Sequence, residues 1–187
     1  MPTTHTSKSK SSSKSKSSSS SRSKSASTAR RSGQQDAIQL LKADHREVEQ
    51  MFSKFENTNG ATTKSKLADQ ICLSLKVHTQ IEEEIFYPAA REALSDEEMI
   101  DEAVVEHAAA KDLIAEIEAM DVGEELFDAK VKVLSEQIEH HVEEEEKELF
   151  PKLQKTDMDM RMLGVRMAER KTELMSSMAR PNGQRVQ

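Results

Sequence analysis

The sequence predicts an all-α protein: an up-down-up-down antiparallel four-helix bundle with a disordered basic N-terminal tail and an extra C-terminal helix. Three observations carry that prediction. The 187 residues are rich in Ala, Leu, Glu, Lys and Met, the good helix formers, while aromatic residues make up only 3% and Trp is absent. Apolar residues recur at steps of three and four in five successive stretches. Four of those stretches are joined by very short turns, which forces neighbouring helices to run antiparallel.

Composition also removes several function classes. The single cysteine, Cys72, leaves no intramolecular disulfide framework and reads as a small buried hydrophobe, with no basic neighbour in sequence to activate it. No apolar run is long enough to span a bilayer and the first residues lack the apolar core of a signal peptide, so the expected setting is cytoplasmic, without membrane contact. With five glycines and no CxxC, neither a phosphate-cradling loop nor a thiol redox motif is present.

Net charge divides the chain. Residues 1–34 hold eight of the 27 basic residues and no acid, leaving 19 basic against 34 acidic residues in the remainder. Residues 1–31 are nearly all Ser, Lys, Thr and Arg, too polar to offset the entropy of ordering, and are expected to be disordered. A solubilising tail is the plain reading. Salt-sensitive contact with nucleic acid or another polyanion and a Ser-rich transit peptide are the alternatives.

The first helix is expected from Gln35 to Glu56, capped by Ser32 with Gln35, with the stripe Ile38, Leu41, Val48, Phe52 and Phe55; His45 sits inside the gap between Leu41 and Val48. The second runs from about Thr63 to Leu94 with Leu67, Ile71, Leu75, His78, Glu82 and Ile85 on one face, and Pro88 kinking or tightening it. The third begins at the capping box Ser95/Glu98, ends near Met120, and buries Ile100, Val104, His107, Ala110, Ile114 and Ile117. The fourth begins near Glu124 and carries Leu134, Ile138, His141, Glu145 and Leu149. The bundle thus occupies 35–155. A fifth helix, restarted by Thr156/Asp159 and stopped by Pro181 and Gly183, fills 156–187 and is dotted with Met158, Met160, Met162, Met167, Met175 and Met178, read as a cover for the bundle or a dimer contact.

Polar residues interrupt every bundle stripe. The candidates lie some eleven to twenty-one residues from the adjacent turns, roughly 16 to 32 Å along the helices, so His45, His78, Glu82, His107, His141 and Glu145 fall at one level deep in the bundle. An unpaired buried carboxylate costs several kcal/mol, and no Lys or Arg occupies a matching stripe position. A multivalent cation would neutralise both acids, and imidazole with carboxylate suits iron, manganese or zinc. Four His and two Glu exceed one tetrahedral zinc but suit two metals sharing carboxylates. The set is also duplicated: Asp44-His45 precedes His78-x3-Glu82-Glu83-x4-Pro88, and Glu106-His107 precedes His141-x3-Glu145-Glu146-x4-Pro151. Of Glu143 to Glu146, only Glu145 is assigned to the buried stripe, and His140 is assigned to the surface.

These motifs over about residues 36–155 resemble the hemerythrin family, in particular the HHE cation-binding domain of bacterial hemerythrin-like proteins. The resemblance implies a hemerythrin-like bundle around a binuclear, non-haem, oxygen-bridged iron centre, with His45, His78, His107 and His141 as terminal ligands and Glu82 and Glu145 as bridges. Oxygen-carrying members show H-x3-H on the third helix, whereas His107 here has Ala103 four residues before it and Lys111 four after. Glu106 and Tyr87 are candidates for the position so left open. That departure points away from reversible oxygen carriage. It points towards sensing or scavenging O2, NO or peroxide, catalase-like peroxide decomposition, or the storage and buffering of iron.

Overall fold

Helix α1, Ala37–Glu56, runs down to a short turn, and α2, Ala61–Ile81, returns alongside it. A π-helical turn, Glu82–Phe86, continues α2 into α3, Tyr87–Ala93. Helix α4, Glu98–Glu118, precedes α5, Phe127–Glu144, which passes through a second π turn, Glu145–Leu149, into α6, Phe150–Leu153. Helix α7, Met160–Met178, closes the order. This computed structural model describes residues 35–95 and 97–179; the tail at 1–34 and the stop at Pro181 and Gly183 lie outside them. The fold is an all-helical bundle, and no helix among the described residues is long and apolar enough to cross a membrane.

The two π turns lie just ahead of Pro88 and Pro151. A proline inside an α-helix lacks its N–H and its ring collides with the carbonyl four residues back. One extra residue per turn relieves that collision: Tyr87 N–H bonds to Glu82 C=O and Phe150 N–H to Glu145 C=O, each five residues back. The wider turn also lets sequence neighbours share the interior, so Phe86 with Tyr87, and Leu149 with Phe150, are all buried.

Apolar residues pack in two clusters. One holds Leu41, Ile81, Phe86, Ile100 and Leu153; the other holds Val48, Phe52, Leu75, Ile114 and Leu134. Each site histidine lies between residues of the two clusters along its own helix, so the polar level is a layer between two apolar ones. Helix α7 belongs to the first cluster through Leu163, Met167 and Leu174 and packs on α1 and α2. Gly164 makes this approach feasible, because a Cβ there would stand 2.6 Å from the Gln35 carbonyl oxygen. Of the predicted methionine stripe, Met167 is buried and Met162 faces out.

Several local expectations are corrected. The first helix is capped by Asp36, whose Oδ1 accepts from Gln39 N–H at 2.8 Å while the Gln39 side chain accepts from Asp36 N–H at 3.2 Å. Helix α4 starts at Glu98 without a side-chain cap, and Arg91 instead pairs with Glu97 and Asp101 across the turn. Helix α5 starts at Phe127, because Leu126 adopts φ 76° and breaks the helix ahead of it. Asp159 caps α7 through Met162 N–H, and Thr156 bonds back to the Leu153 carbonyl. Val104 is exposed; Ala103 takes its place on the buried stripe, so the steps from Ile100 to His107 are three then four and not four then three.

Candidate metal centre

The polar layer gathers all six predicted residues. His45, His78, Glu82, His107, His141 and Glu145 are buried, with Glu82 at 0% and Glu145 at 2% exposure. The imidazoles pair by half of the chain: the His45 and His78 rings lie 4.9 Å apart and the His107 and His141 rings 4.7 Å apart. Each carboxylate reaches one histidine of each pair. Glu82 Oε2 stands 3.2 Å from His78 Nε2 and 3.4 Å from His107 Nε2; Glu145 Oε2 stands 3.4 Å from His45 Nε2 and 3.8 Å from His141 Nε2. Two potential ligand groups result, His45, His78, Glu82 and Glu145, and Glu82, His107 and His141.

The outward ring nitrogens are claimed by a second set of carboxylates. His45 Nδ1 donates to Glu146 at 2.9 Å, His107 Nδ1 to Glu83 at 3.1 Å and His141 Nδ1 to Glu106 at 2.8 Å, while Asp44 faces His78 Nδ1 at 3.7 Å. An ionised carboxylate only accepts, so a proton on Nδ1 leaves the Nε2 lone pair pointing inward, the state a metal-binding imidazole needs. These four acids are what reading the sequence as stripes missed. Glu146 is drawn from the solvent expected for it to His45, Glu83 has no expected role, and Glu106, a candidate for the open position, faces the outer nitrogen of His141. The available signal was the acidic residue before each first histidine and the second glutamate of each H-x3-E-E.

The inner atoms remain unsatisfied. His45 Nε2, His78 Nε2, both Glu82 oxygens and Glu145 Oε2 are buried without a hydrogen-bond partner. Burial and the neighbouring Glu145 carboxylate push Glu82 upward from the usual carboxylate range. Burial opposes charge on Glu145 as well, but the His45 hydrogen bond and the field of His141 hold it below that range. Burial also opposes charge on His141, yet Glu106 and Glu145 raise it to about 9, while burial and His141 lower His107 to about 4. The Nε2 atoms of these two rings lie 3.1 Å apart, within hydrogen-bond reach of each other. Cations fit the donor set: two carboxylates shared between two imidazole pairs, with orphaned lone pairs converging, could hold hard-to-borderline metal ions.

Tyr87 enters the same layer. Its hydroxyl donates to Glu145 Oε1 at 3.0 Å and lies 3.3 Å from His107 Nε2. Burial, then the Glu145 and Glu82 charges, raise the phenol well above its ordinary range, so it keeps its proton. A cavity of about 40 Å³ abuts the four histidines, walled by Val48, Leu75, Ile138 and Val142, with Lys171 and Met175 of α7 also in its lining.

The family model for the hemerythrin HHE cation-binding domain matches residues 36–153. The chain belongs to the hemerythrin HHE cation-binding family. It is 28% identical over 111 residues to a DNA nickase of Nostoc sp. (strain PCC 7120), covering 59% of this chain and 31% of that one. It is 26% identical over 114 residues to an uncharacterized hemerythrin-like protein of Schizosaccharomyces pombe, covering 60% and 56%. The chain therefore spans about a third to a little over half of these curated relatives. A crystal structure of a hemerythrin HHE cation-binding domain-containing protein from Mycobacterium kansasii shares the fold, with TM-score 0.66, 24% identity, and coverage of 76% of this chain and 89% of that one.

Proposed function

We propose that this hemerythrin-family chain is a cytoplasmic binuclear iron protein that senses or scavenges O2, NO or peroxide, with His45, His78, His107 and His141 as terminal ligands and Glu82 and Glu145 as bridges. The observation carrying the reading is the convergence of unsatisfied inner atoms, while outer carboxylates take three of the four opposite ring nitrogens. Two irons held there would supply redox chemistry towards a small oxidant. The chain supplies the rest. Glu83, Glu106 and Glu146 orient the rings and keep Nε2 free, and apolar walls exclude bulk water. The cavity holds more than the 10–15 Å³ or so that one water needs, which suits a diatomic ligand or peroxide and nothing much larger.

The absent fifth histidine supports reactivity over carriage. Tyr87 stands where an additional donor is wanted, and its retained proton is available to a ligand in the layer. Metal analysis with an optical spectrum of the oxidised protein tests the proposal. Two irons per chain and oxo-bridged bands that shift with azide or peroxide are expected, both lost in His78→Ala. Zinc or manganese in place of iron, or iron bands indifferent to azide and peroxide, would instead establish a storage or buffering module.

The basic segment carries a second reading. Eight cations without an acid in residues 1–34 favour loose contact with a polyanion, and one relative is a DNA nickase. Binding of the full chain to duplex DNA should then weaken steeply with salt and vanish when residues 1–34 are removed.

A further inference from the structure

The four outer carboxylates are not treated alike. Asp44 pairs with Lys171 at 2.5 Å, Glu83 with Lys111 at 2.5 Å, and Glu146 with Arg46 at 2.6 Å and Lys42 at 3.4 Å. Glu106 has no Lys or Arg within ion-pair distance among the described residues. Its neighbours are His140, whose Nε2 lies 3.7 Å from Glu106 Oε1, and Glu144, whose Oε1 lies 3.4 Å from the same nitrogen. One ligand atom from each of the three falls within 4.8 Å of the others. At the place where each other outer acid meets a cation, this one meets a ready-made set of cation ligands.

The cluster also leads inward. It lies in an open groove of about 660 Å³ between α4 and α5, with no basic residue other than His140 in its lining. Glu102, Glu106 and Glu144 are shared between that groove and a smaller cavity of about 40 Å³, whose other walls include Glu148, His141 and Glu145. Glu145 is 2% exposed and its Oε2 has no partner. Carboxylates thus line both the open groove and the cavity that adjoins it through these three residues, with an unsatisfied buried acid in the wall of the second, and acid-lined clefts raise the local concentration of cations.

We propose that Glu106, His140 and Glu144 form a surface capture site for a divalent cation, Fe(II) in the first place, and that the acidic cavity beneath delivers it to His141 and Glu145. The proposal rests on the metal-centre reading above, whose own test is the final metal content. Mixed imidazole and carboxylate ligands at a solvent-exposed position suit Fe(II) or Mn(II), and their exposure keeps binding weak enough for onward transfer. The other cavity has Lys171, paired with Asp44, in its lining, which makes it the poorer one for a cation.

The experiment is anaerobic Fe(II) uptake by the metal-free full chain, quenched at intervals into a ferrous chelator. His140→Ala/Glu144→Gln is expected to slow uptake about tenfold at low ionic strength and to flatten its salt dependence, with two equivalents still taken up at completion. Glu136→Gln, on α5 but outside the groove, should load at the wild-type rate. Wild-type kinetics in the double variant would overturn the capture site while leaving the buried centre intact. A lowered final stoichiometry at unchanged rate would also overturn it, by placing these side chains in the holding site. No uptake by the wild-type chain would remove the centre itself and the proposal with it. In the iron-filled protein, added Mn(II) should broaden the His140 ring resonances, and sharp His140 signals at millimolar Mn(II) would contradict capture there.

Discussion

The two halves of the bundle, α1 to α3 and α4 to α6, use the same parts around the metal layer and different parts outside it. In each, an acid-His pair, an H-x3-E-E run, a π turn and a proline recur in order. Each of the buried glutamates, Glu82 and Glu145, touches its own helix's histidine and one from the other half. Two of the outer acids cross in the same way, Glu83 to His107 and Glu146 to His45, while Asp44 and Glu106 face His78 and His141 of their own halves. The aromatic residue before proline breaks the equivalence: the Tyr87 ring lies 5.4 Å from His107, and Phe150 stacks 6.1 Å from His45. Helix α7 covers the first half, and the acidic groove opens on the second. Symmetry builds two potential ligand groups in one layer, and asymmetry sets what surrounds each of them.

The largest test of that division is loss of a bridge. Because Glu82 belongs to both ligand groups, Glu82→Ala should remove both metals, not one. Elemental analysis giving one metal per chain would show that the halves bind independently. Outer acids act through the rings they hold, so the counterpart changes Glu83→Gln and Glu146→Gln should each cost roughly 10- to 100-fold in metal affinity, read by chelator competition. Equal losses would confirm that the halves are equivalent at this shell.

Removing metal exposes the cost of the layer. In the metal-free chain Glu82 and His141 are both raised, towards about 8 and about 9, above their unfolded values of 4.5 and 6.5. Each therefore contributes stability that is present below its unfolded value and lost as pH rises through its folded one. Glu82 acts between about pH 4.5 and 8 and His141 between about 6.5 and 9, so metal-free stability should fall by roughly 1 kcal/mol per pH unit for each group within its window, most steeply where the two overlap. Denaturant titrations at pH 6.5 and 9 check this, and Glu82→Gln should reduce the slope. The metal-loaded chain should be weakened by acid instead, since protons then compete for the same atoms.

The bundle and its six inner residues were legible because burial leaves a periodic trace: each lies on an apolar stripe, and His78 with Glu82 are one helical turn apart. The outer acids leave no such trace. Glu83 and Glu146 sit beside stripe residues in sequence and look solvated; only the crossing of two helices brings Glu83 to His107. The π turns were equally hidden, since an extra residue in one turn shifts the period without changing composition, and the prolines hinted only at a kink. Lys171 and Met175 reach the cavity from a helix beyond the family domain, where no motif marks them.

The smallest effect should come from making the halves alike. Tyr87→Phe removes one buried hydroxyl and its bond to Glu145, worth about 1 kcal/mol in the metal-free chain, and changes little volume. The six inner side chains are untouched, so metal content should stay at two. What should change is the response to a small ligand, because the only phenol proton in the layer is gone: azide- or peroxide-dependent optical shifts should alter in rate or position while the resting metal count does not. Loss of one metal in Tyr87→Phe would give the hydroxyl a holding role, filling the position left by the missing fifth histidine. An unchanged count with an unchanged ligand response would make Tyr87 a packing residue, equivalent in function to Phe150.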